Sequence, residues 1–208
     1  MGLQSAFDLQ LGQSTPLQGF VDLIWQSLLA GCQSSKHPWN LGCFTTVDAS
    51  GFPQTRTVVL RAADRQQYTL DFHTDIRSDK IEQLSNSPNV HWMFYLPSTK
   101  IQLRCVGVAC VVEDRDEVDA AWASTALRSR SAYVSVRPPG ERVQTPDPPS
   151  TADREVDQEA SERGVENFAI VRTSIRHMDW LYLRRDGHVR AGIEYVADTE
   201  PEAVWWVP

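Results

Sequence analysis

Basic charge, paired cysteines, long apolar runs and glycine-rich loops are all scarce in this chain. Twenty Lys and Arg stand against 27 Asp and Glu, which leaves a net charge of −7, and the pI is near 5.2. That deficit argues against broad binding to nucleic acid or acidic membrane, so any anion site has to be a local cationic pocket. The four cysteines, Cys32, Cys43, Cys105 and Cys110, form no CxxC pair and have no histidine at zinc spacing, so no metal site is expected. They read as small buried hydrophobes of a reducing compartment. No apolar run approaches the roughly 18 residues of a membrane span. The first twenty residues carry neither the basic nor the apolar region of a leader, and the expectation is a cytoplasmic protein. A glycine-rich dinucleotide loop and an internal repeat are also missing.

What remains is ordinary globular sequence with strong punctuation. At 208 residues the chain is long enough for one full core, and a single domain over 1–208 is expected. Pro16 to Leu29 carries apolar residues at helical spacing, with Gly31 as a stop. Leu41–Val47 reads as a strand, and Asp48-Ala-Ser-Gly51 as the turn into a second strand around Arg56–Arg61. Strands are also expected at 68–74, 90–95, 101–112, 168–172, 180–183 and 188–195, with a helix at 114–126 and an Asp186-Gly187 hairpin turn. In the 101–112 strand Gln102, Arg104 and Val106 share one face, and Ile101, Leu103 and Cys105 the other. Residues 138–165, rich in proline and charge, read as a mobile loop. The class is mainly β with flanking helices (α+β), as a closed or split antiparallel barrel.

The chemistry concentrates between Gly51 and Asn86. A strand ends in Thr74-Asp-Ile-Arg77 and runs into a helix whose N-cap is Ser78, with Lys80 in the first turn. A lysine there opposes the helix dipole and asks for an anion nearby. Amide donors, the hydroxyls of Thr74 and Ser78, and the cations Arg56, Arg61, Arg77 and Lys80 together suit a phosphate. Two plain strands, a solvated helix and surface cations would give the same letters.

Arg56-Thr-Val-Val-Leu-Arg61, Phe72-His-Thr-Asp75 with Ser78 and Lys80, Asn86-x-Pro88, Gln102-Leu-Arg104 with Gly107, and Trp180 with His188-x-Arg190 occur in that order. This ordered set resembles the pyridoxamine 5′-phosphate oxidase-like family, above all its oxidase-related FMN-binding branch of cyanobacteria and plants, over roughly residues 17–195. The resemblance implies an FMN-binding split β-barrel, a homodimer with flavin at the interface, and a small-molecule substrate. It puts Arg56 on the FMN phosphate and the main chain of Thr57, Val58, Val59, Leu60 and Arg61 along the flavin, the side chains of Val58, Val59 and Leu60 being core. His73 and Thr74 would lie at the phosphate and ribityl end, and Ser78 and Lys80 in a phosphate clasp whose middle cation is here Asp79. Arg77 could stand in for that lost charge. Gln102 would reach the partner's flavin, while Trp180 and Arg190 would close the site as an apolar wall and an anion clamp.

The sequence also departs from the oxidases. Their Arg-x-His-x-Arg run is here Asp186-Gly-His188-Val-Arg190, so an anion replaces the first cation and His188 is left as the substrate-facing candidate. The strand-end lysine is Arg61, a Gln-Ser pair has become Arg137-Pro138, and the substrate-phosphate triad falls near 122–131, where Arg128, Ser129 and Arg130 lie. The expected activity is an FMN-dependent oxidoreductase in which flavin N5 takes a hydride from a small donor. A non-catalytic flavin-binding protein with a decayed substrate pocket is the alternative, and a barrel dimer for haem or a deazaflavin is a third.

Overall fold

A computed structural model describes residues 17–145, 158–196 and 199–208. Eight antiparallel strands form one sheet: β1 (Leu41–Val47), β2 (Pro53–Asp64), β3 (Thr69–Asp75), β4 (Asn89–Leu96), β5 (Ile101–Val111), β6 (Phe168–Tyr182), β7 (Val189–Glu194) and β8 (Glu202–Trp206). Their order is β3-β2-β1-β4-β5-β6-β7-β8, and an extra β3–β6 pairing closes the first six into a barrel. One long strand makes this possible. Residues 168–174 of β6 pair with β3, while residues 177–182 pair with β7, so the same edge of β6 first closes the barrel and then leaves it. The sequence pattern had split this strand in two, because Arg172, Thr173, Ser174, Arg176 and His177 interrupt the apolar run. A bulge between Val106 and Gly107 takes up the bend against β5. Gly107 is required there, since a Cβ would lie 2.3 Å from the Ser174 carbonyl oxygen.

Inward positions of β1, β3 and β4 deliver Phe44, Phe72, Trp92 and Phe94, all fully buried, and Trp92 stacks on Phe94 with centroids 5.6 Å apart. Each such side chain contributes roughly 1.5–3 kcal/mol by leaving water. Helix α1 (Leu17–Gln33) covers one side of the barrel with Phe20, Val21, Ile24, Trp25 and Leu28. It runs through Gly31 and does not stop there. Gly31 lies against strand-entry backbone, where a Cβ would be 2.8 Å from the Trp39 carbonyl oxygen. Helix α2 (Asp79–Asn86) follows β3, and α3 (Arg115–Ser124), capped by Asp114, follows β5. A short α4 (Leu127–Arg130) continues from α3.

The proline-rich segment is only partly a loop. Residues 146–157 lie outside the described residues, but Gln158–Glu162 is helical (α5) and Arg163–Asn167 forms a 3-10 turn. Glu162 anchors this end by accepting from Trp122 Nε1 at 2.8 Å and Arg130 Nη1 at 2.6 Å. Cys105 alone of the cysteines is fully buried; Cys110 is exposed, on the outward parity of β5. Among the described residues no helix is long and apolar enough to cross a membrane.

Candidate functional site

The barrel is split between β2 and β3. These strands pair from Asp64↔Thr69 back to Leu60↔Phe72, with a bulge at Arg61. Beyond it, Pro53–Val59 pairs only with β1, and His73–Asp75 only with β6. The edge of β2 from Thr55 to Val59 therefore carries backbone donors and acceptors that no strand takes up. A cavity of about 430 Å³ opens in the split, lined by Arg56–Val59, Arg61, His73, Thr74 and Lys80, with Ser129, Ala132 and Tyr133 opposite.

Two cations meet there. Arg56 reaches over β1, donating from Nη1 to Thr46 Oγ1 at 2.6 Å and from Nη2 to Gln83 Oε1 at 3.1 Å. Lys80 donates from Nζ to Thr74 Oγ1 and Ser78 Oγ, both at 2.8 Å. Burial lowers the pKa of both groups, and Arg56 lowers that of Lys80 further. Their hydrogen bonds go to neutral oxygens, and the carboxylates of Asp79, near both cations, and Asp75, near Lys80, offset the cost of burial only in part. Ser78 occupies the N-cap position of α2 but does not cap it. Its hydroxyl donates instead to the Asp75 carbonyl at 2.6 Å and accepts from Lys80. Arg77 does not join the cluster: it closes on Asp75 at 2.7 and 3.0 Å, so it does not stand in for the charge missing at Asp79.

His73 sits against the edge of Phe168 at 4.7 Å. Burial, then the nearby Arg61, push its pKa down to about 4, leaving a neutral ring at neutral pH. His73, Arg61 and Ser129 also line a second cavity of about 420 Å³, which extends over Asp71, Glu117 and Thr125. Its floor is braced by Arg172, which donates to Asp71 at 2.7 Å and also to Glu117. Arg130 cannot serve this cavity, because its guanidinium is buried against Trp122 and Glu162. Of Arg128, Ser129 and Arg130, Ser129 alone lines it.

The remaining candidates lie elsewhere in the chain. Leu60 is core and Val58 packs against it, whereas Val59 pairs across from the exposed Leu41 on the outer face, which corrects its assignment to the core. Trp180 is fully buried, packed edge-on against Phe20 at 4.6 Å, and within its own chain it is barrel core instead of a cavity wall. Gln102 and Arg190 flank Leu181 on the outer face, on β5 and β7, three and five strands from β2 along the sheet order. Arg190 donates to Asp179 at 2.8 and 3.0 Å and lies over Trp206 at 5.1 Å, so its charge is already matched. His188 is exposed at the start of β7, and Asp186 pairs with Arg184 in the preceding turn. Sequence reading missed Thr46 and Gln83, which hold Arg56. The signal available was Thr46 itself, a polar residue at the inward parity of β1 set by Phe44.

Comparison with known proteins agrees with this geometry. A family model described as the FMN-binding domain of pyridoxamine 5′-phosphate oxidase matches residues 22–113. Pyridoxine/pyridoxamine 5′-phosphate oxidase 2 of Arabidopsis thaliana is 30% identical over 124 residues, 55% of this chain and 63% of that protein. The corresponding oxidase of Acinetobacter baylyi is 33% identical over 87 residues, 42% of this chain and 39% of that protein. The chain thus spans between two-fifths and just under two-thirds of these relatives. Two solved structures share the fold. One is a pyridoxamine 5′-phosphate oxidase-related FMN-binding protein from Nostoc punctiforme (TM-score 0.69, 22% identity, 93% of this chain and 98% of that one). The other is PhzG from Burkholderia lata, in complex with tetrahydrophenazine-1-carboxylic acid (TM-score 0.66, 17% identity, 94% of each chain). Residues 22–113 thus resemble the FMN-binding domain of the pyridoxamine 5′-phosphate oxidases, and the chain shares its split-barrel fold with the two solved structures. The matched model describes an FMN-binding domain, and the residues in the split fit that group: two crowded cations and two buried hydroxyls suit the charge and acceptors of one phosphate.

Proposed function

We propose that the protein is an FMN-dependent oxidoreductase acting on a small donor and is not a pyridoxamine phosphate oxidase. The observation that carries this reading is the half-buried Arg56–Lys80 pair in the barrel split, whose hydrogen bonds go to neutral oxygens, beside the unpaired edge of β2. Arg56 and Lys80, with the Thr74 and Ser78 hydroxyls, would hold the FMN phosphate; the Thr57–Arg61 backbone would orient the ring system. When bound, FMN supplies a two-electron acceptor that takes a hydride from the donor and passes the electrons to oxygen or another acceptor. Neutral His73 offers one donor and one acceptor nitrogen between the two cavities, and the second cavity gives a donor room beside the first.

A two-chain site would account for the position of the other candidates. Gln102, His188 and Arg190 are remote from Arg56 within one chain and would come from a partner copy. Leu41, Tyr95 and Val106 are 53%, 43% and 43% exposed on the same outer face, apolar surface suited to a homodimer contact. Sedimentation is the check: a monomer retaining full flavin would rule the shared site out.

Several features speak against pyridoxamine phosphate as donor. Arg130 is consumed by Glu162, and Asp186 stands where the oxidases have a cation. Asp186 does not face a cavity alone, as it is bound by Arg184 and Arg185 is adjacent, so its charge penalty is smaller than a bare reversal would give. The Asp186 replacement also favours the second reading, a flavin-binding protein without catalysis. Anaerobic reduction of the FMN-loaded protein by a panel of donors separates the two. Bleaching of the flavin by one donor, with no pyridoxal phosphate formed from pyridoxamine phosphate, is the expected result. Turnover of pyridoxamine phosphate at oxidase rates would overturn the proposal.

A further inference from the structure

A third cavity lies at the far end of β6 from the Arg56–Lys80 cluster. Thr74 pairs with Ala169, near the start of β6, while Ile101 pairs with Tyr182 at its end. Thirteen residues separate these positions, roughly 40 Å of strand at about 3.3 Å per residue. There the β4–β5 turn and the β6–β7 turn enclose about 220 Å³, lined among others by Ser98, Thr99, Lys100, Arg184 and Arg185. The two turns are tied together, since Leu183 N donates to the Lys100 carbonyl at 3.0 Å. Lys100 adopts a left-handed conformation, φ 57°, with its amide on the Leu96 carbonyl at 2.7 Å.

Two independent features mark the cavity as a site. Thr99 is 7% exposed, and its hydroxyl finds no hydrogen-bond partner among the described residues although it lines the cavity. A buried hydroxyl in that state is poised for a ligand atom. Charge is the second: Lys100, Arg184 and Arg185 against Asp186 leave an excess of two positive charges in a chain whose net charge is −7. Arg184 already grips a carboxylate here, donating from Nε to Asp186 at 3.0 Å and from Nη2 to its other oxygen, with its plane over Tyr182. The fork is therefore set for a planar or tetrahedral oxyanion, and Asp186 occupies it as an internal competitor.

We propose that this pocket is a second oxyanion site, taking the phosphate or carboxylate group of a small molecule independently of the FMN phosphate cluster. Lys100 and Arg185 supply charge, Thr99 donates its hydroxyl hydrogen, and Arg184 turns from Asp186 to the ligand. The occupant is either inorganic phosphate or the acid group of an organic molecule, and the probes distinguish the two. The FMN-saturated protein is titrated calorimetrically with inorganic phosphate, phenyl phosphate and benzoate. Arg185→Gln and Lys100→Asn, the latter tolerant of the left-handed backbone, are each expected to weaken the tightest-binding probe at least tenfold at unchanged flavin content. Thr99→Val weakens it several-fold. Asp186→Asn is expected to tighten it several-fold, a gain that damage to the turn would not produce. Tighter binding of phosphate than of the organic probes assigns the site to the free ion, and the reverse order to an organic acid. Affinities that change less than twofold in all four variants, or only in Arg56→Gln, would overturn the proposal.

Discussion

Two pairs of cations on this barrel have opposite surroundings. On the outer face, Arg104 and Arg190 converge on Asp179, which is 4% exposed and held below the usual carboxylate range by hydrogen bonds from Arg190 and Arg104 against the cost of burial. In the split, Arg56 and Lys80 converge on Thr46, Gln83, Thr74 and Ser78, all neutral. In the first group both cations share a carboxylate of the same chain, across the interior strands β5, β6 and β7. The second is electrostatically unfinished: burial works against each cation, the nearby Asp75 and Asp79 offset it only in part, and an anion bound from outside would complete it. A cluster that raises the energy of the empty protein is the one suited to bind an anion.

The sharpest way to break this contrast is to remove the charges and read the flavin. On the proposed site, Arg56→Gln with Lys80→Gln would delete two charge-assisted hydrogen bonds to phosphate, each worth roughly 1.5–3 kcal/mol. FMN affinity is expected to fall by about 100-fold or more. Riboflavin, which has no phosphate, should lose little, so the FMN-to-riboflavin preference collapses. Arg104→Gln with Arg190→Gln should leave that preference in place. Fluorescence titration with both flavins measures it, and equal losses for FMN and riboflavin in the first variant would show that the pair holds no phosphate.

The proton balance of His73 gives the next effect. Its pKa falls from 6.5 to about 4 in the folded protein. A base with a depressed folded pKa contributes fully above its unfolded value and loses that contribution as pH falls from about 6.5 to about 4, by on the order of 3 kcal/mol. The flavin-free protein should destabilise over that window, and His73→Gln should flatten part of the slope. Denaturant midpoints taken at half-unit steps from pH 7.5 to 4 provide the test; parallel profiles would place His73 in water.

How much of this was readable in the letters follows from distance along the chain. Leu41–Val47 was found end to end, and the Arg56–Lys80 cluster was visible because 25 residues and two strands contain it. Thr46 and Gln83 were not tied to it, since strand pairing brings Thr46 to Arg56 and helix packing brings Gln83. Trp180 was misjudged for a parity reason. With β6 read as two strands, no register fixed which face residue 180 takes, and the continuous strand turns it inward opposite Leu103 and Ala191. β8 escaped notice because Glu202-Ala-Val-Trp-Trp206 lacks alternation; as the last strand of the sheet it pairs only with β7. The 3-10 turn and α5 near Glu162 follow from Arg130, a contact 32 residues away that composition cannot show.

The smallest effects sharpen the comparison most, because they carry opposite signs. Asp179→Ala leaves Arg104 and Arg190 facing each other with no carboxylate between them. Both guanidiniums reach solvent and can be rehydrated, so the expected loss is about 2 kcal/mol, below that for a fully buried broken pair. Lys80→Met keeps the length of the side chain and removes the charge that Arg56 repels. Thr74 and Ser78 lose a donor, but their hydroxyls already lie 3.5 Å apart, and Ser78 keeps its bond to Asp75. The flavin-free variant is expected to gain up to about 1 kcal/mol, more at low salt than at high, since screening already relieves the repulsion in wild type. With FMN in excess the order reverses, because wild type then recovers its binding free energy and the variant does not. Urea denaturation of both variants, with and without FMN, reads all four quantities. Loss of stability in flavin-free Lys80→Met would mean that its bonds to Thr74 and Ser78 outweigh the repulsion, and that the split is as self-sufficient as the outer face.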